Sequence, residues 1–107
     1  MFTVNGHTWH IMSVKPNDSI LIRDDGIITL AVTDRATRTI YINNTLNYDK
    51  FRKVLLHELT HVYVFEYGLR FGLKQEERMA DFIAVYGTRI IQTSDSIIDL
   101  QNGFKWG

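Results

Sequence analysis

The fold of this chain is decided by its most apolar segment, which reads VLLHELTHVYVF over residues 54–65. Apolar side chains occur on nearly every face of this segment, as is typical of a helix that is buried on most sides. Asn47 is a suitable N-cap residue, and Asp49 lies in the first turn, where a negative charge favours the helix dipole. Gly68 marks the other end. We therefore predict a central helix over residues 48–67.

A second helix is predicted from about residue 74 or 75 to about residue 92. Ala80, Ala84 and Thr88 form a stripe of small residues along it, which would let it approach the first helix closely. Residues 93–106 are expected to form a short helical turn and a tail that packs back onto the domain.

The first part of the chain is predicted to form short strands, because β-branched residues are concentrated there between turn signals. The predicted elements are residues 2–4, 9–14, 19–23, 27–33 and 39–42. Asn5-Gly6 is a strong signal for a tight hairpin between the first two elements. Short connections between consecutive strands favour antiparallel pairing. We therefore predict an α+β fold, in which a small N-terminal antiparallel β-sheet precedes two packed helices.

Length and charge narrow the possible functions. The chain has 107 residues, which suits a single domain over residues 1–107. Its 12 basic and 12 acidic side chains balance, and the basic ones are scattered along the sequence. We therefore expect no nucleic-acid partner and no membrane surface as partner. The sequence shows no secretion signal and no membrane-spanning segment, so we expect a cytoplasmic protein.

The chain contains no cysteine. Its absence excludes disulfides, thiolate zinc ligands and a cysteine nucleophile. A zinc site in this protein would have to be built from histidine and carboxylate side chains.

The apolar helix carries two histidines, His57 and His61, four residues apart. This spacing places both imidazoles on one face, where they can bind a single zinc ion. Glu58 is rotated by about 100° from His57, so its carboxylate can reach a metal-activated water without being a ligand. This is the His-Glu-x-x-His arrangement of two metal ligands and a general base. A helix with two unliganded histidines is the alternative, but unpaired polar groups are costly to bury.

A catalytic zinc ion normally has a third protein ligand. One extended version of the motif has glycine and histidine where this chain has Val64 and Tyr67, and no histidine follows His61. We predict Glu77, on the second helix, as the third ligand. Glu76 is the main alternative, although the helix dipole alone can explain a glutamate in a first turn.

Asp81 lies one helical turn after Glu77, within an apolar run where a carboxylate is rarely buried without a partner. We predict that it accepts a hydrogen bond from the free ring N–H of His57 and so orients that ligand. An ordinary ion pair with Arg52 or Arg89 is the alternative.

His57 to His61, followed by Glu77 to Asp81, resemble the gluzincin pattern of thermolysin-like metallopeptidases. In that pattern a downstream helix supplies a glutamate ligand, and an aspartate four residues later orients a histidine. The shorter gap between His61 and Glu77, together with the run Glu77-x-x-Ala80-Asp81-x-x-Ala84, more closely resembles the ImmA/IrrE-like metallopeptidases of phages, mobile elements and bacteria.

The resemblance covers residues 55–86 and implies a compact zincin-like domain with an N-terminal sheet. Members of that family often carry a helix-turn-helix or another partner domain, which this sequence does not show. The second helix also departs from the family pattern after Ala84. We therefore expect either a minimal, stand-alone member of this group or one that no longer cleaves what its relatives cleave.

The expected activity is zinc-dependent hydrolysis of a peptide bond, with Glu58 as general base and a peptide or protein as substrate. The resemblance suggests a regulatory protein as that substrate. Peptide deformylases also use this motif, but their third ligand is a cysteine. A catalytically silent zinc-binding interaction module is the other alternative. By chemistry alone, the residues that could stabilise an oxyanion are Tyr63, Tyr67, Tyr86, His7 and His10.

Overall fold

The computed structural model describes residues 1–100. Within this range, four strands are followed by two α-helices, and a short 3₁₀-helix lies at Ser19–Leu21. The strands are β1 (Phe2–Val4), β2 (His7–Val14), β3 (Ala31–Asp34) and β4 (Thr39–Asn43). The helices are α1 (Tyr48–Glu66) and α2 (Leu73–Leu100). The predicted α+β fold class is confirmed.

The four strands form one sheet in the order β1-β2-β4-β3. β1 and β2 form the predicted hairpin, in which Asn5 and Gly6 have positive φ angles of 48° and 79°. Two successive positive φ angles match the twist of a two-residue hairpin turn. β3 and β4 form the second predicted hairpin and pair antiparallel, with Thr33 opposite Ile40.

The expectation of a wholly antiparallel sheet is wrong for one pairing. β2 and β4 run parallel, with His10 opposite Thr39 and Val14 opposite Asn43. Short connections dictate antiparallel pairing only for strands that are consecutive in the chain. The connection from β2 to β4 includes the 3₁₀-helix and β3, and it is long enough to return the chain to the starting end of β2.

Two predicted strands are shorter than expected or absent. Residues 19–23 contain the 3₁₀-helix, which begins after Asp18, whose side chain accepts a hydrogen bond from the backbone of Ile20. Residues 27–30 lie outside β3, although they are rich in β-branched residues. Strand propensity mainly reflects packing on a half-buried sheet, and Ile27 and Ile28 have no such surface because both are exposed.

Helix α1 has nearly its predicted bounds. The Asn47 side chain accepts a hydrogen bond of 2.9 Å from the backbone of Lys50 and so caps the helix. Gly68, with a φ angle of 61°, follows its end. The helix is not buried on most sides as expected, because Tyr63 and Phe65 are exposed. Its buried side packs on the sheet, and the core cluster is Val4, Trp9, Ala31, Ile40, Ile42 and Val62.

Helix α2 extends to Leu100, eight residues beyond its predicted end at residue 92. Its first part packs antiparallel against α1, and Ala80 is fully buried between them. From Arg89 to Leu100 every residue is exposed, so the last turns extend beyond the packed part of the protein. The rest of the tail predicted to pack back, residues 101–106, lies outside the described residues. Within residues 1–100, neither helix is both long and apolar enough to span a bilayer.

Candidate metal centre

His57 and His61 of α1 face the first turns of α2, where Glu77 lies. Their Nε2 atoms are 3.2 Å apart. The Glu77 carboxylate spans the two rings, with one oxygen 3.3 Å from His57 Nε2 and the other 3.0 Å from His61 Nε2. One ligand atom from each of these residues lies within 4.8 Å of the other two. The structure thus brings together the three residues that the sequence predicted as metal ligands.

Asp81 lies 3.0 Å from His57 Nδ1, through its Oδ1 atom. The expected hydrogen bond is therefore geometrically available. Within residues 1–100 Asp81 forms no ion pair with Arg52 or Arg89. The side chain is 72% exposed, so the expectation that Asp81 is buried within an apolar run is wrong. The helix face that carries it opens to solvent beside the histidines.

Glu76 contacts the corresponding nitrogen of the other histidine. Its Oε2 atom lies 2.5 Å from His61 Nδ1, and its side chain is only 10% exposed. Arg35, from the turn between β3 and β4, lies 3.6 Å from the same oxygen. Glu76 is not in the converging group that contains Glu77. The sequence pointed to Glu76 only as an alternative ligand or as a dipole-favoured residue, and this contact was missed.

A signal for this contact does exist in the sequence. When two helices pack antiparallel, a residue nearer the end of the first lies opposite a residue nearer the start of the second. His57 is thus opposite Asp81, and His61 is opposite Glu76 and Glu77. Each histidine has one nitrogen that faces Glu77, and its other nitrogen needs a hydrogen-bond partner. Two further carboxylates are therefore expected near these histidines.

The donor set fits a divalent metal ion. A neutral imidazole has one N–H and one lone pair. If each Nδ1–H donates to its carboxylate, on Asp81 or Glu76, then both Nε2 atoms present lone pairs towards each other and towards Glu77. Three converging acceptors without a donor repel one another unless a cation lies among them. Two imidazole nitrogens and a carboxylate oxygen are typical zinc ligands and also suit other divalent ions.

Glu58 lies beside this group but is turned towards the sheet. It is buried, and its Oε2 atom accepts a hydrogen bond from the Thr33 hydroxyl of β3. Glu58 is not one of the three converging residues. The contact with Thr33 was not predictable from local sequence, because it depends on how the sheet packs against α1.

A cleft of about 790 Å³ runs between β3 and the two helices. His57, Glu58 and His61 line it, together with Glu76 and Glu77. Its volume falls within the range of binding sites for small molecules and peptide side chains. The cleft therefore gives a substrate access to both the candidate ligands and the candidate base.

The five residues considered for oxyanion stabilisation do not line the cleft. Tyr63 and Tyr67 stack on each other at 5.9 Å between ring centroids. Tyr86 contacts Phe82 at 5.4 Å between centroids, and His10 is exposed on β2. The remaining residue, His7, belongs to a second polar cluster.

That second cluster, which we call the Glu66 cluster, consists of His7, Trp9, Arg38 and Glu66. The Glu66 carboxylate accepts hydrogen bonds from Trp9 Nε1 at 2.9 Å and from Arg38 Nε at 2.7 Å, and it lies 2.6 Å from His7 Nδ1. Its side chain is 2% exposed. The hydrogen bond from Arg38 is the main cause that lowers the pKa of Glu66 below its ordinary value, and Trp9 and His7 act in the same direction.

Comparison with known protein families matches residues 20–86, more than half of the chain, to Peptidase M78, described as the IrrE N-terminal-like domain. The matched residues include the β3–β4 hairpin, α1 and the start of α2, and thus the whole candidate metal centre. No curated protein and no solved structure matches the chain. The resemblance noted in the sequence is confirmed at this level: the chain belongs to the Peptidase M78 family, the metallopeptidase family of IrrE N-terminal-like domains.

Proposed function

We propose that the protein is a zinc-dependent peptidase that hydrolyses a peptide bond in a peptide or protein substrate. The observation that carries this proposal is the convergence of His57, His61 and Glu77 within 4.8 Å, in a cleft that also contains Glu58. Membership of a peptidase family supports the same activity. A regulatory protein is the substrate class that the resemblance to ImmA/IrrE-like peptidases suggests.

The proposed chemistry divides between the metal and the side chains. His57, His61 and Glu77 would hold a zinc ion, which would supply Lewis-acid activation of a water molecule and of the scissile carbonyl. Glu58 accepts a proton from the attacking water and passes it to the leaving nitrogen as the C–N bond breaks. The Thr33 hydroxyl holds one oxygen of Glu58 and so limits the positions of its carboxylate. Asp81 and Glu76 hold the two imidazoles in the tautomer that leaves both Nε2 atoms free to bind metal.

The alternative is a catalytically silent zinc-binding module that acts by contact with another protein. One observation favours it: the last turns of α2 expose Ile90, Ile91, Ile97 and Ile98. Contiguous exposed apolar residues are typical of protein-contact surfaces. Buried Glu58 favours the peptidase, because a structural zinc site has a closed coordination shell and needs no base.

The Glu58→Gln variant separates the two functions. We expect it to bind zinc as the unaltered protein does, because Glu58 is outside the ligand group. Peptide cleavage should fall about 100- to 10,000-fold, the usual contribution of a general base. Cleavage is measured by mass spectrometry on a peptide library after loading with zinc. Equal cleavage by both forms would remove Glu58 as the base, and zinc binding without any cleavage by either form would favour the silent module.

A further inference from the structure

Three basic side chains line the cleft away from the metal centre: Arg23, Lys50 and Lys53. The two lysines precede His57 on α1 by seven and four residues. This spacing places them on the helix face that carries His57 and His61. At a rise of 1.5 Å per residue, Lys53 and Lys50 lie about 6 and about 10 Å from His57 along the helix axis.

The carboxylates that line the cleft all belong to the metal centre and its surroundings: Glu58, Glu76 and Glu77. Arg35 also lines the cleft and lies 3.6 Å from Glu76, so three carboxylates and one guanidinium surround the metal centre. Lys53 and Lys50, in contrast, lie about one and two helical turns before His57. A bound divalent cation would offset the negative charge of the carboxylates, whereas no comparable partner is available for the lysines.

The three basic residues differ in whether an ion pair within the protein offsets their charge. Arg23 pairs with Asp25 at 3.1 Å, so part of its charge is compensated. Within residues 1–100, neither Lys50 nor Lys53 forms an ion pair, and both are exposed. Asp49 neighbours Lys50 in sequence but does not line the cleft. Two lysines without an ion pair thus line the same cleft as the metal centre.

The length of this space fits a short extended peptide. Apolar residues also line the cleft, including Ala31 and Val32 on β3 and Val54, which lies between Lys53 and His57 on α1. An extended chain rises about 3.3 Å per residue, so about 6 to 10 Å corresponds to two or three residues. A substrate with its scissile bond at the metal centre would place a side chain near Lys53 or Lys50 two or three positions away.

We propose that this cleft selects peptide substrates that carry an aspartate or glutamate two or three residues from the scissile bond, bound by Lys50 and Lys53. The inference rests on the proposed peptidase function and names its substrate class. Because the lysines are exposed, their contribution is screened by salt and acts mainly on substrate binding. The preference should therefore appear in KM rather than in kcat.

The test uses zinc-loaded protein and a library of decapeptides that are acetylated at the N-terminus and amidated at the C-terminus. We expect the cleaved peptides to be enriched in Asp and Glu at two or three residues from the cut. The double variant Lys50→Glu/Lys53→Glu should raise KM for acidic peptides about tenfold or more and should favour Lys or Arg at the same positions. This reversal of preference is an effect that a purely structural role of the lysines would not produce.

The matched control is Lys15→Glu/Arg52→Glu, which changes the net charge equally through residues that do not line the cleft. We expect it to keep the acidic preference. The inference would be overturned if the unaltered protein showed no enrichment of acidic residues near the cut. It would also be overturned if the Lys50→Glu/Lys53→Glu variant kept the same preference for acidic residues as the unaltered protein. A second library with free C-terminal carboxylates is screened in parallel. Cleavage of that library alone, without enrichment of acidic side chains near the cut, would also overturn the inference.

A second measurement keeps the inference separate from the proposed activity. The zinc-loaded Glu58→Gln variant is titrated with a fluorescein-labelled, amidated decapeptide that contains two glutamates, and with its glutamine counterpart. Tighter binding of the acidic peptide, lost on Lys50→Glu/Lys53→Glu, would support the inference even if no cleavage were found. Equal binding of both peptides would overturn it while leaving the proposed peptidase activity intact.

Discussion

Helix α1 carries two clusters of histidine and carboxylate side chains that differ in their balance of hydrogen-bond donors and acceptors. In the Glu66 cluster, one carboxylate accepts from Trp9 and Arg38 and contacts His7, so the donors satisfy the acceptor. In the metal centre, two imidazole nitrogens and Glu77 converge. Their remaining partners are also carboxylates, which leaves an excess of acceptors.

This difference separates a structural ion pair from a metal site more clearly than the residue types do. Both clusters contain a histidine nitrogen within hydrogen-bond distance of a carboxylate. In the Glu66 cluster the contacts are complete without a further group, and they tie the end of α1 to β2 and to the turn before β4. In the metal centre, neutral imidazoles whose Nδ1–H groups donate to Asp81 and Glu76 leave two Nε2 lone pairs facing Glu77, and a cation between them would satisfy all three. The following predictions test that distinction through zinc affinity.

The largest effect is expected for Glu77→Ala. Loss of a metal ligand should cost more than loss of a residue that only orients a ligand, which typically costs about 10- to 100-fold. We therefore expect zinc affinity to fall by more than about 100-fold, measured by competition with a chromophoric chelator. A fall smaller than that of Glu76→Gln would indicate that Glu76 is the ligand.

An intermediate effect is expected for Glu76→Gln and Asp81→Asn. Each substitution keeps the size of the side chain but removes the charge that holds an imidazole Nδ1–H, and zinc affinity should fall about 10- to 100-fold. Glu76→Gln should have the larger effect, because Glu76 is 10% exposed and Asp81 is 72% exposed. The same chelator competition measures both, and affinities equal to that of the unaltered protein would contradict the assigned tautomers.

The smallest effect on zinc is expected for Glu66→Gln, which should leave the affinity unchanged. Its effect is on stability instead. Because the folded protein lowers the pKa of Glu66 below 4.5, the charged carboxylate stabilises the fold fully above that pH and loses this contribution as the pH falls through the lowered pKa. Glu66→Gln should therefore unfold more readily at pH 7 and show a weaker loss of stability on acidification.

The control for that variant is Asp24→Asn, an exposed carboxylate for which no hydrogen bond is found within residues 1–100. Thermal unfolding between pH 3 and pH 7 compares the two, in about the range where carboxylates titrate. If the stability of Glu66→Gln and of Asp24→Asn fell equally with decreasing pH, the Glu66 cluster would not stabilise the folded protein as described.

Features that depend on nearby residues were predictable from the sequence. Asn5-Gly6 predicted the first hairpin, and Asn47 predicted the start of α1. The spacing of His57 and His61 predicted that both imidazoles lie on one face of that helix. Each of these follows from backbone geometry over a few residues. Glu77 was predicted as the third ligand because the chain has no cysteine and no histidine follows His61.

Features that depend on tertiary packing were not predictable in the same way. The parallel pairing of β2 with β4 joins strands that are not consecutive, and the Thr33 contact to Glu58 joins the sheet to α1. Helix α2 extends beyond its predicted end at residue 92 through Thr93 and Ser94, which have modest helix propensity. That propensity is a weak signal, and no glycine or proline interrupts the helix between Gly87 and Leu100.

The central claim is that one divalent ion binds between His57, His61 and Glu77. Elemental analysis after zinc loading and extensive dialysis tests it most directly, with His61→Ala compared with His7→Ala from the Glu66 cluster. We predict about one zinc ion per chain in the unaltered protein and in His7→Ala, and none in His61→Ala. Equal zinc content in all three proteins, or loss of zinc in both variants, would contradict the account.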